Sequence, residues 1–175
     1  MANPTMTLIS SQTLGGSTAS VTFSSIPSTY NDLKLVCSMR TDAATFTGTP
    51  VIKINADTAT NYSYTFLFGN SAAAGSSNGI SQTSDQSTRI DGANNTASTF
   101  GSWEIYIPNY NSTGSKPYFG IDVTEQNDTT PNHSWMAASA HLYRGSSGIS
   151  SITLTPPSGN FVQFSDFYLY GIKNS

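Results

Sequence analysis

Asp32-Leu33-Lys34-Leu35-Val36-Cys37-Ser38-Met39-Arg40 decides the fold. Leu33, Leu35, Cys37 and Met39 alternate with Lys34, Val36, Ser38 and Arg40. A period of two puts the first four on one face of an extended chain, and a helix would scatter them around its axis. The stretch therefore predicts a strand with one buried face. Its single cysteine, Cys37, reads as an inert thiol inside that face, since no cationic neighbour is there to activate it.

The same alternation recurs along the chain. Residues 102–107 set Trp103, Ile105 and Ile107 against Glu104 and Tyr106. Residues 62–68 place Tyr62, Tyr64, Phe66 and Phe68 together, and 116–123 offer Phe119, Ile121 and Val123 as their apolar set. Residues 134–143 alternate Trp135, Ala137, Ser139, His141 and Tyr143 with Met136, Ala138, Ala140 and Leu142. Further strands are predicted at 5–11, 19–23, 51–54, 149–155 and 165–172. Turn residues separate them, among them Gly15-Gly16, Pro108-Asn109 and Pro156-Pro157-Ser158-Gly159-Asn160. No window has helical periodicity. The expectation is an all-β single domain over residues 1–175, an antiparallel β-sandwich of jelly-roll type with about ten short strands and little or no helix. Residues 41–50, 70–89 and 124–133 read as loops, the second of them unusually long.

Composition narrows the function. The 175 residues include 65 Ser, Thr and Asn, while only 10% are charged and Glu occurs twice. That is too little charge and helix former for a bundle, against about 25% charged residues in an ordinary soluble domain. Seven Lys and Arg against ten Asp and Glu leave no basic footprint for nucleic acid. No apolar run nears the ~20 residues of a membrane helix. Residues 1–5 lack the basic and apolar regions of a leader, so synthesis in a cytoplasm without export by a cleaved signal is the expectation.

Motifs for chemistry are sparse. Gly75-Ser76-Ser77-Asn78-Gly79 matches G-x-S-x-G, but a nucleophile elbow needs a strand before it and a helix after it. Ser77 and Asn78 are better read as contact residues in a loop. Two histidines and one cysteine do not make the usual zinc sets. Asp122, Glu125, Asn127 and Asp128 could offer oxygens to Ca²⁺, though without the glycine of a calcium loop. No catalytic residue, metal or cofactor is expected. Tyr106, Tyr110 and Tyr118, near Asn109, are candidates for subunit contact or, if exposed, for stacking on sugars.

Two terminal stretches carry a resemblance. One is Thr7-Leu8-Ile9-Ser10-Ser11-Gln12-Thr13-Leu14, followed by Ala19-Ser20-Val21-Thr22-Phe23 and Ile26-Pro27-Ser28-Thr29-Tyr30-Asn31-Asp32-Leu33. The other is Ile152-Thr153-Leu154, Asn160-Phe161 and Phe167-Tyr168-Leu169-Tyr170-Gly171-Ile172-Lys173. Together they cover about a third of the chain and resemble a pattern of tailed-bacteriophage virion proteins. The resemblance implies a small β-sandwich module without catalytic residues, often trimeric. It points first to a capsid cement (decoration) protein on the outer capsid surface, with the major capsid protein and its own copies as partners. A tail, head-fibre or receptor-binding module for host glycans is the other role it implies.

Overall fold

The computed structural model describes residues 5–173; residues 1–4, part of the stretch read for a leader, lie outside the described residues. There are thirteen strands and, among the described residues, no helix: β1 (Met6–Thr13), β2 (Val21–Phe23), β3 (Asp32–Met39), β4 (Thr47–Gly48), β5 (Val51–Ile54), β6 (Tyr62–Gly69), β7 (Ala74–Gln82), β8 (Ile90–Asp91), β9 (Gly101–Ile107), β10 (Lys116–Thr124), β11 (Trp135–Tyr143), β12 (Ile152–Thr155) and β13 (Asp166–Ile172). All ten expected strands form. The three additional ones are β4, β7 and β8.

The named strands pair antiparallel throughout. Eight form one sheet in the order β1-β13-β3-β9-β10-β11-β6-β7; β2-β12-β5 and β4-β8 form two smaller ones. The chain's first and last strands lie side by side, as the sequence suggests. Eight strands against three and two is a less even division than a jelly roll implies. What stands is the antiparallel, sandwich-like architecture.

The core lies between the large sheet and β2-β12-β5. Leu33, Leu35, Cys37 and Met39 of the opening stretch are all buried, as are Trp103, Ile105 and Ile107. Val21, Phe23, Ile52, Ile54, Ile152 and Leu154 meet them from the small sheet. The void left between Leu35, Ile105, Tyr118 and Ile152 is about 10 Å³, at the limit for one water. Leu8, by contrast, is 49% exposed on the edge strand β1 rather than sharing this core.

The low charge does not translate into an exclusively outward set. Six of the seventeen charged residues are buried: Asp32, Arg40, Asp85, Asp91, Lys116 and Asp122. Each has polar partners. The Arg40 guanidinium donates to the carbonyls of Thr96 at 2.7 Å and of Asn95 and Thr99 at 3.0 Å, which fastens the loop before β9. Lys116 Nζ donates to the carbonyls of Gly114 and Gly145 at 2.8 and 2.9 Å.

Candidate contact face

β10 inverts the expectation for its faces. Its burial alternates strictly, with Lys116, Tyr118, Gly120, Asp122 and Thr124 inside and Phe119, Ile121 and Val123 outside. The cause is register. Gly120 pairs with Ile105 and Asp122 with Trp103, and cross-strand partners share a face. β9 turns those two large side chains inward, so Gly120 and Asp122 go in with them. A slip of one residue would reverse the set.

The polar inner face of β10 is held by specific bonds. Asp122 Oδ2 accepts the Arg89 backbone N–H at 3.0 Å, and burial pushes the Asp122 carboxyl up to about 7. Tyr118 donates to Asp85 Oδ2 at 2.7 Å and stacks on the His141 ring, centroids 4.5 Å apart. His141 Nδ1 is 2.8 Å from the same Asp85 oxygen, and its Nε2 is 2.8 Å from Ser139 Oγ. Ser139, His141 and Asp85 thus stand in the order of a hydrolase triad. The His141 side chain is fully buried and that of Asp85 is 2% exposed. Ser139 Oγ already donates to the Gly120 carbonyl at 3.1 Å. A triad needs an open position for substrate beside its hydroxyl and oxyanion donors around it. These three instead form an internal strut between the β7–β8 connection and β11. The alternation of 134–143 puts Ser139 and His141 on one face; nothing local in the sequence brings Asp85 to them.

The outer face of β10, β11, β6 and β7 is uncharged; it is apolar over β10 and β11, and Thr65, Ser76 and Asn78 interrupt it on β6 and β7. Leu67, Ile80, Phe119, Ile121, Val123 and Met136 are exposed there, from 39% for Val123 to 74% for Ile80. Ala138 and Ala140 on β11 are exposed between them. No Lys, Arg, Asp or Glu occupies the outward positions of these four strands. The largest apolar patch of an ordinary monomer is ~300–600 Å² and is often functional. The face is grooved. One depression of about 360 Å³ runs over Ala138 and Ala140, walled by Leu67 on one side and Phe119 and Ile121 on the other. A second, of about 340 Å³, lies between Ile80 and Leu142. The nearest charges are Lys34 and Glu104, paired with each other at 2.8 Å on the neighbouring strands.

The residues singled out in the sequence fall in three places. Tyr106 is half-buried on the outer face of β9, its ring 5.5 Å from Phe119 at the margin of the patch. Its hydroxyl donates to Asp32 at 2.5 Å, which with burial pushes it up to about 12. Tyr110 and Tyr118 are buried, and so present no ring for stacking on sugars; the Tyr110 hydroxyl donates to the Pro27 carbonyl. Asn109 is exposed in the turn after β9, at φ 49°. It lines an open polar cup of about 500 Å³ with Tyr30, Asn31, Asn111, Ser112 and Ser115. The Tyr30 ring reaches the cup because Gly171 leaves room beneath it: a Cβ there would lie 2.3 Å from the ring.

Ser77 and Asn78 are exposed on β7, not in a loop. Gly75-Ser76-Ser77-Asn78-Gly79 is extended sheet throughout, so the bend that an elbow requires does not occur. The possible calcium ligands diverge. Asp122 is inside, Glu125 accepts the Asn127 N–H, and Asp128 accepts from Thr130 and meets His133. Among the described residues no three His, Cys, Asp or Glu are placed to hold a metal. No protein-family model and no curated protein matches this chain.

Proposed function

We propose that this chain is a non-enzymatic structural protein of a tailed-bacteriophage virion, binding the outer capsid surface as an oligomer and reinforcing the shell. The observation that carries this reading is the uncharged, grooved outer face of β10, β11, β6 and β7, apolar over β10 and β11. A free monomer in water would normally put charge there for solubility. Interface cores are depleted in charge, and the largest apolar patch of a monomer is often functional. The terminal resemblance supplies the setting, with the major capsid protein as partner. A protein that binds the assembled lattice and not its dissociated subunits stabilises the lattice by mass action.

The test is particle composition and heat resistance. Hundreds of copies per virion, and earlier thermal release of DNA from particles lacking the chain, are expected. A few copies confined to one vertex, or unchanged heat resistance, would overturn the reading.

A second role has its own observation. The cup of Tyr30, Asn31, Asn109, Asn111, Ser112 and Ser115 offers amides, hydroxyls and one aromatic ring without a formal charge. That chemistry suits a neutral sugar and supports the receptor-binding alternative. Glycan-array binding abolished by Asn109→Ala with Asn111→Ala would establish it; an array without binding would remove it.

A further inference from the structure

We infer that the apolar outer face pairs with the same face of a second copy across a two-fold axis parallel to the strands, above the β10–β11 boundary. The inference rests on reading this face as a contact surface and names its occupant. The ground is the register of β10 on β11. Phe119 is level with Ala140, Ile121 with Ala138, and Val123 with Met136. Two of these three pairs set a large side chain beside an alanine. One strand is therefore a ridge and its neighbour a furrow, and the furrow over Ala138 and Ala140 is open.

A two-fold along that boundary lays each β10 over the partner's β11 at unchanged height. Phe119 then sits over the partner's Ala140, and Ile121 over the partner's Ala138. The reciprocal contacts follow from symmetry. Large over small on both sides is what two sheets need to approach to about 10 Å. The face is complementary to itself, as an isologous interface requires. Its size supports the same occupant. The outward residues of β10 and β11 meet their like across this axis, and β9, laid over the partner's β6, widens the contact with Tyr106 and Leu67 toward the ~800 Å² per partner of a standard interface. Charge agrees as well. A two-fold brings like groups close together, and β10 and β11 carry no outward charge; Glu104 on β9, level with Ile121 and paired with Lys34, comes over the partner's Leu67 rather than over its own image. The trimer implied by the resemblance would need two different patches to meet, whereas this relief fits itself.

The experiment uses the full chain in the absence of any capsid, so its outcome is separate from that of shell binding. Sedimentation of the wild type should show a monomer–dimer equilibrium across the micromolar range. Ala140→Glu and Ala140→Lys should each weaken it by at least about a hundredfold. Mixing those two variants should restore a dimer, since opposite charges then face across the axis. Thr22→Glu, on the far sheet, should sediment as wild type. Wild-type Met136 provides a reading independent of substitution: its oxidation by peroxide should slow as the dimer forms, while the fully buried Met39 serves as the internal reference. A monomeric or trimeric wild type, charged variants that still dimerise, a folded mixture that fails to dimerise, or Met136 equally reactive in a dimer would each overturn the proposal.

Discussion

β9 and β10 are neighbours in one sheet and have opposite interiors. β9 turns Trp103, Ile105 and Ile107 into the core and leaves Glu104 outside. β10 turns Lys116, Asp122 and Tyr118 inward and leaves Phe119, Ile121 and Val123 in solvent. Both strands alternate equally clearly in the sequence. The difference teaches that alternation reports a two-sided strand, not which side is inside. For β9 the core claims the apolar side. For β10 the pairing with β9 and β11 sets the sides, and Lys116, Tyr118 and Asp122 each find a hydrogen-bond partner there.

The comparison breaks most sharply under large-to-small substitution. Trp103→Ala should cost about 3–5 kcal/mol in denaturant unfolding. Phe119→Ala, the same class of truncation one strand away, should cost under about 1 kcal/mol in dilute monomer, because a residue 54% exposed leaves no closed cavity. Comparable losses at both positions would refute the assigned register of β10.

Asp122 tests the interior from the polar side. Its folded value of about 7 stands above the ordinary 3.8, so between those two values the folded state holds the extra proton. Stability should therefore fall as pH rises from about 4 to about 7 and stay level beyond as far as this group is concerned. The loss is on the order of 2–4 kcal/mol. Asp122→Asn should flatten the profile and be the more stable form at about pH 8, since the amide oxygen can still accept from Arg89. A wild-type profile without that slope would count against a buried carboxyl.

Tyr118→Phe removes the hydroxyl that Asp85 accepts while keeping the ring stacked on His141. A loss of about 1–3 kcal/mol is expected in thermal or denaturant melts, because a buried carboxylate oxygen loses a donor. The smallest effect belongs to the outside. Ile121→Thr should shift monomer stability by under about 0.5 kcal/mol, as surface changes usually do, yet weaken self-association measured by sedimentation. A large stability loss with intact association would reverse the roles given to the two faces.

Much of the fold is legible because period and punctuation are local. β3, β5, β6, β9 and β11 lie within a residue or two of where alternation puts them. β7 is illegible by propensity, since Ala74–Gln82 is made of Ala, Gly, Ser, Asn and Gln with one Ile. It forms because β6 offers an edge and aromatic rings to cover. Gly75 pairs with Phe68 and Gly79 with Tyr64, and a Cβ at either glycine would lie under 3 Å from the opposing ring. Two glycines four apart, matching two aromatics four apart, are the signal that a strand was there. The contact face was half legible. Met136, Ala138 and Ala140 stand out as one side of an alternating strand, but only pairing brings Phe119 and Ile121 beside them on the outside.

The sequence by itself determined the class: a low-charge, Ser- and Thr-rich, all-β chain whose strands are spelled by a period of two. Local sterics and hydrophobic alternation act over a few residues, so they can be read from a few residues. Tertiary structure alone decided which side of β10 faces water, that Asp85 meets His141 and Tyr118, and that apolar side chains gather on one outer face. Those outcomes depend on register between strands distant in sequence, and a shift of one residue exchanges the two faces.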